Sequence, residues 1–407
     1  MKRGSSPSRC ARPAEGRSRE RGFSLPELLV GACISLSAAA GAAAVVGALQ
    51  LRFSTDSEWT DVVQRVRAAV DSMERDLSRA GLGPYQGASA GALGLPVAAV
   101  FPFRQGASSA DPPGLFRSDA VTVLYVSDRT AAQASLAQPL AARSGAAVVV
   151  PGPGCPVGSA SCGFAAGMDV VVFDDTGAYD MFRVQSVTGA SLDLRHTMPD
   201  TGQIYPAGAR IAEAASHTYF LKSDPPSDTF QLVHYDGVAS EAPVSDHIVG
   251  LAFEYFGDPE PPAVLAPLDD PRGPWTTYGP RPPPRTTQPT AYPSGENCAF
   301  RLDAVGAPVP RLDRLGSGGS TLVPLGAAEL TDGPWCPDGS NPHRYDADLL
   351  RVRRIGVTLR AESALSALRG PAGVLFTRGG TSRAAGRWVP DQEIRFDVSP
   401  ANLNRGR

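Results

Sequence analysis

Glu27 is the residue whose surroundings most need a chemical explanation. Leu28 to Leu51 is a run of 24 residues without Asp, Glu, Lys, Arg or His, and Arg21-Gly22-Phe23-Ser24-Leu25-Pro26 precedes the carboxylate. An acid at membrane depth costs a few kcal/mol, so it ordinarily has a task and a partner. An opposite charge held at about 4 Å attracts it by roughly 4 kcal/mol at an effective dielectric near 20, before desolvation. One such pair would fix the axial register of otherwise greasy helices, as one polar core residue does in a coiled coil.

Cysteine supplies the second chemistry. Cys10 and Cys33 lie before and within the apolar run, leaving Cys155, Cys162, Cys298 and Cys336 further on. Four cysteines in an oxidising compartment suggest two disulfides, with three connectivities open. Nearest-neighbour pairing, Cys155–Cys162 and Cys298–Cys336, closes two Gly/Pro-rich loops and is preferred. A four-cysteine zinc site is the rival, but Cys-x6-Cys is wider than the usual two-to-four-residue spacing.

The remaining motifs point away from catalysis. His196, His217, His234, His247 and His343 show no HExxH or other close ligand spacing. Gly316-Ser317-Gly318-Gly319-Ser320-Thr321 lacks the lysine of a phosphate-binding loop. Asp174, Asp175 and Asp180 could offer oxygens to calcium, though turn chemistry explains them equally well. The expectation is a non-enzyme without cofactor or bound metal.

A helix must position Glu27. Its apolar run is long enough to span a bilayer, which takes about 20 residues. The helix is expected to continue, because Val62, Val66, Val70, Met73 and Leu77 recur on one helical face. Gly81 and Gly83-Pro84 stop it. Unbroken from Ser24 to Ala80, it would be roughly 85 Å long.

After Pro84 short β-like runs follow, at Ala120–Ser127, Ala147–Val150, Asp169–Phe173, Met181–Val187, His217–Leu221, Thr229–Tyr235, Ile248–Phe256, Leu349–Ala361 and Glu393–Val398. Ile355, Val357 and Leu359 alternate with Arg354, Thr358 and Arg360, as in a half-buried strand. Asp174-Asp175-Thr176-Gly177 reads as a hairpin turn. Residues from about 257 to 345 form a Pro-rich insertion expected to be long decorated loops. The fold class is therefore α+β: a long N-terminal helix, with a membrane half (23–51) and an amphipathic half (52–82), packed on an antiparallel β-rich domain (83–407).

Charge gives an orientation. The net charge is −3, but residues 1–22 carry seven basic and two acidic residues, so Phe23 onward carries −8. Positive charge before the run favours a cytoplasmic N-terminus and an exported remainder. A mildly acidic exported domain gives no reason to expect nucleic acid.

Together, Arg21-Gly22-Phe23-Ser24-Leu25-Pro26-Glu27 and the apolar run resemble a type IV prepilin signal. The resemblance implies that residues 1–22 are a leader cut by a prepilin peptidase after Gly22. Phe23 would become the N-methylated first mature residue. Glu27, then fifth, would pair with the N-terminal amine of a neighbouring subunit. Met73-Glu74-Arg75-Asp76-Leu77-Ser78-Arg79-Ala80-Gly81, Val249–Tyr255, Leu350–Leu359 and Ser399–Asn404 resemble stretches of PilW-like minor pilins and J-type secretion pseudopilins. Implied partners are other minor pilins or pseudopilins, an inner-membrane assembly platform and, before assembly, lipid. The implied location is the inner membrane, then a pilus or pseudopilus at the cell surface.

A chain with 385 residues after Gly22 is bulky for every position of a filament and better suited to a tip or priming complex. The alternatives are a pseudopilin of a type II secretion system and a membrane-anchored or secreted periplasmic binding domain or hydrolase. An ordinary signal peptide cut near Ala38-Ala39-Ala40 fits less well, because Glu27 interrupts its apolar region and the run exceeds 7 to 15 residues. A plain anchor explains neither Glu27 nor the Gly-Phe step.

Overall fold

The computed structural model describes residues 24–81, 97–108, 110–126, 132–152, 155–174, 176–224, 229–259, 300–310, 321–333, 335–337, 341–369 and 389–404. The chain divides into two compact units, Met1–Asp56 and Ser57–Arg407. Helix α1, Leu25–Arg79, is within one residue of expectation at each end.

In the first unit α1 is apolar on all sides from Leu28 to Gly47. No residue of Leu25–Gly47 is buried, and the segment is long and apolar enough to cross a membrane. In the second unit α1 is amphipathic. Val62, Val66, Ala69, Met73 and Leu77 form its buried stripe. Ala69 takes the central place expected for Val70, which lies partly buried at the stripe's edge.

The β domain is built largely in chain order. Strands β1 (Val100–Phe101) and β2 (Ala120–Tyr125) open an antiparallel sheet. The next six strands, β3 (Gln133–Leu136), β4 (Ala146–Pro151), β5 (Asp169–Phe173), β6 (Tyr179–Thr188), β7 (Ser191–His196) and β8 (Arg210–Glu213), close into a barrel. Strands β9 (Ala215–Asp224), β10 (Thr229–Tyr235) and β11 (Glu241–Asp246) then complete the first sheet in the order β1-β2-β9-β10-β11. Tyr125 pairs with Ala215, so the barrel is an insertion whose two ends lie side by side. It has its own core, including Leu136, Val149, Val170, Val172, Phe182, Val184, Leu192, Leu194 and Ile211.

A second sheet follows from β12 (Ile248–Gly257). The excursion after it carries β13 (Phe300–Leu302) paired with β14 (Pro308–Pro310), β15 (Val323–Leu325), a short α2 (Ala327–Thr331), and β16 (Trp335–Cys336) paired with β17 (Tyr345–Asp346). With β18 (Val352–Ala361) and β19 (Gln392–Val398), the sheet order is β15-β12-β18-β19. The described part of the Pro-rich excursion thus contains short paired elements as well as loop.

Two expectations need correction. Leu349 to Arg351 do not extend β18. Asp346 accepts the N–H of Asp348 (2.9 Å) and caps a 3₁₀ turn over Ala347–Arg351 instead. Nor does β18 have one dry and one wet face. Arg353 is 4 % and Arg360 3 % exposed, against Asp258 and Asp391 respectively. A buried guanidinium survives because a carboxylate accompanies it.

The disulfide expectation holds where it can be followed. Cys155 and Cys162 are bonded, with Cα atoms 4.7 Å apart. Cys336 is also disulfide-bonded, while its expected mate Cys298 lies outside the described residues.

The second unit's α1 segment is fixed by polar contacts as well as by its stripe. Arg65 donates to Glu58 (3.3 Å), Asp61 (2.9 Å) and the carbonyls of Asp246 (3.3 Å) and Glu362 (3.1 Å). The N–H of Ala364 donates to Glu58 Oε1. At the helix end, Asn402 Nδ2 donates to the carbonyls of Arg79 (3.2 Å) and Gly81 (3.3 Å). The last carbonyls of a helix have no partner within it. Gly81 has φ +96°, and a Cβ there would meet Asn402 Cβ at 2.8 Å, so both conformation and close approach require glycine.

Candidate functional site

Of the residues singled out at the helix start, Gly22 and Phe23 lie outside the described residues. Glu27 sits in the first turn of α1. Its Oε2 accepts from the Ser24 N–H (2.9 Å) and the Ser24 hydroxyl (2.8 Å). The carboxylate folds back on its own helix end, as the acid of a capping box does. That contact satisfies a backbone donor and places a negative charge at the positive end of the helix dipole. The contact is solvent-exposed, so an incoming cation can reach the carboxylate.

A second constellation lies at the other end of α1. Asp76 belongs to the last turn of the helix, one turn after Ser72 on the same face. His217 and Tyr219 alternate on β9, and His234 stands opposite Tyr219 on β10. All of these side chains converge beneath the helix. The Tyr219 hydroxyl lies 2.6 Å from Asp76 Oδ2 and 3.0 Å from the Ser72 hydroxyl. His217 Nδ1 and His234 Nε2 approach to 2.5 Å, and they lie 3.8 and 4.0 Å from Asp76 Oδ2. The Tyr125 hydroxyl donates to Asp76 Oδ1 (3.4 Å), so it accepts from His217 Nε2 (3.0 Å). That assignment puts the proton on His217 Nε2 and leaves Nδ1 with a lone pair that faces His234 Nε2.

The electrostatics agree. Burial pushes the His217 imidazolium below its ordinary range; Asp76 opposes this and His234 reinforces it. Burial lowers His234 as well, with Asp76 again opposing. Burial thus favours the neutral form of both rings. Burial, with Asp76 beside them, raises the hydroxyls of Tyr125 and Tyr219, which remain donors.

The oxygens considered for calcium have other roles where they are described. Asp174 Oδ1 accepts from the N–H of Thr176 (2.9 Å), as turn chemistry requires. Asp175 lies outside the described residues. Asp180 is buried and accepts from Tyr205 (2.9 Å) and Thr201 (3.0 Å), with His343 Nδ1 2.9 Å from its other oxygen.

The chain matches no protein-family model and no curated protein. Its functional reading therefore rests on its own residues.

Sequence reasoning placed Glu27 at a helix start but set aside every histidine. His217 and His234 are separated by 17 positions and meet only through the β9–β10 pairing. The period-two placement of His217 and Tyr219 was the available signal. Asp76, 141 positions before His217, carried none.

Proposed function

We propose that this chain is a prepilin-type structural subunit, a minor pilin that joins a type IV pilus at its tip or in its priming complex. The observation that carries the reading is α1 itself. One continuous helix has an apolar segment, Leu25–Gly47, with no buried residue and a single carboxylate in its first turn, and an amphipathic segment whose stripe is buried in a β-rich head. A membrane anchor alone requires the apolar length but not the carboxylate. Helices that move from lipid into a filament need both.

In this reading the leader is cut after Gly22, and Phe23 becomes the amino-terminal residue. Its amine reaches Glu27 of a neighbouring subunit in competition with the Ser24 donors. Small residues such as Gly31, Ala32, Ser35 and Ala38 allow close helix approach. The head stays outside and is exported, where an oxidising compartment maintains the Cys155–Cys162 bond. The partners are a prepilin peptidase, other minor pilins and an inner-membrane assembly platform.

The deciding experiment is mass spectrometry of the mature N-terminus, from membranes and from sheared filaments. N-methylated Phe23 in both fractions is the expected result. A start near Ala40, or an uncut chain from Met1, overturns the reading. Glu27→Ala should leave cleavage and membrane insertion intact while lowering recovery in sheared filaments at least about tenfold, the effect of losing roughly 1.4 kcal/mol of docking energy. Undiminished incorporation would remove Glu27 from assembly.

A further inference from the structure

We propose that Asp76, His217 and His234 bind one divalent transition-metal ion of the zinc type, clamping α1 to the five-stranded sheet. The site would draw one ligand from each of α1, β9 and β10. It stands apart from the filament reading and needs nothing from it.

Size is the first argument. The three donor atoms are 2.5, 3.8 and 4.0 Å apart. A triangle with those sides has a centre about 2.1 Å from every corner, the usual Zn–N and Zn–O bond length. For an ion there to become tetrahedral, the imidazole nitrogens must open to about 3.3 Å and the carboxylate oxygen must close on them to about the same distance. Without an ion, the nitrogens sit closer than the roughly 2.9 Å of an ordinary hydrogen bond between neutral groups.

Donor chemistry is the second. Two neutral imidazoles and one carboxylate suit zinc and its transition-metal neighbours, whereas calcium and magnesium take oxygen ligands. The histidine side chains are 22 and 24 % exposed, which leaves a coordination position that water or a partner side chain can fill.

The outer shell is the third. Ligand histidines characteristically donate their other ring N–H to an oxygen, which fixes tautomer and ring orientation. His217 does this to Tyr125, and Tyr125 in turn donates to Asp76. Tyr219 steadies the ligating carboxylate oxygen at 2.6 Å. A carboxylate oxygen has lone pairs for both a hydroxyl and a metal. Arg79, its guanidinium 5.8 Å from the centre of the Tyr125 ring, opposes cation binding, and Asp236 offsets it.

The test uses the full chain in detergent micelles, free of any affinity tag, stripped with EDTA and dialysed against zinc chloride or cobalt chloride. The wild type should retain about one zinc per chain and show the strong visible bands of four-coordinate cobalt. His217→Gln and His234→Gln should each retain at least tenfold less zinc, and Tyr125→Phe should bind it about tenfold more weakly. Zinc at a hundred times its dissociation constant should raise the thermal midpoint of the wild type by about 3–4 °C, and of neither histidine variant. Circular dichroism in EDTA checks that the variants are folded. Should they unfold, the cobalt spectrum of the wild type decides alone. Less than a tenth of an equivalent of zinc in the wild type, no four-coordinate cobalt bands, or equal zinc in folded histidine variants would reduce the cluster to a hydrogen-bonded network.

Discussion

The two halves of α1 share a backbone and differ in nearly everything else. From Leu25 to Gly47 every face is apolar and none is covered; Leu36 is 70 % and Ile34 65 % exposed. From Ser57 to Arg79 a single stripe is apolar, and it is buried, with its residues only 0 to 6 % exposed. A helix that is apolar all round needs an apolar surrounding, whether lipid or other helices, whereas a striped helix needs one partner surface. The second half has that surface within this chain. Among the described residues, nothing covers the first.

The largest test of the difference is paired leucine truncation. Leu77→Ala should destabilise the head by about 2–5 kcal/mol, the range for a buried leucine. Leu36→Ala should leave the head within about 0.5 kcal/mol of wild type, as exposed substitutions do. Urea unfolding in micelles, followed by tyrosine and tryptophan fluorescence, reads both. Equal losses would mean the halves form one cooperative unit.

Polar truncation repeats the contrast on a smaller scale. Arg65→Ala removes bonds to two carboxylates and two carbonyls, and should cost the head about 2 kcal/mol. Ser37→Ala removes a single bond to the Cys33 carbonyl within the helix, and should change head stability by less than about 0.5 kcal/mol.

Titration gives the finest distinction, because Leu28 to Leu51 has no Asp, Glu, Lys, Arg or His and proton-linked stability must come from elsewhere. Burial, and then the charge of Asp348, raises the Asp346 carboxyl well above the ordinary range. A carboxyl whose folded pKa exceeds its unfolded value stabilises most below the unfolded pKa, near 3.8, and that contribution is lost as pH rises through the folded value. The wild-type urea midpoint, measured relative to that of Asp346→Asn, should therefore fall between pH 4 and pH 7. A rising difference would reverse the assignment.

The same contrast explains what the sequence made legible. Long periodic signals were secure: α1 was bounded to one residue at each end, and β5 and β10 were placed at their observed limits. Strands β1, β3, β7, β8 and β11 were missed, as were the short strands β13–β17 in what was expected to be loop. β3 and β8 are only four residues long, β11 carries Glu241, Pro243 and Asp246, and the pairing of β3, β7, β8 and β11 comes from barrel closure or sheet register. Leu349 and Leu350 looked continuous with β18 because apolar character does not report the turn that Asp346 caps. Arg360 looked solvent-facing because its partner Asp391 lies 31 positions away. Glu27 was visible because its oddity is local. The Asp76–His217–His234 cluster was not, because three ordinary residues become a set only when a helix and a hairpin meet.

The bond from Asn402 to the Arg79 carbonyl joins positions 323 apart. At five to twenty residues per second, a ribosome needs about 16 to 65 s to get from one to the other. Throughout that interval the end of α1 lacks its closing donor, and Val62, Met73 and Leu77 wait for strands still to be made. A chain built this way spends its first minute as an unfinished, greasy-faced helix. It therefore depends on whatever shelters it during synthesis and export more than a head assembled from near neighbours would.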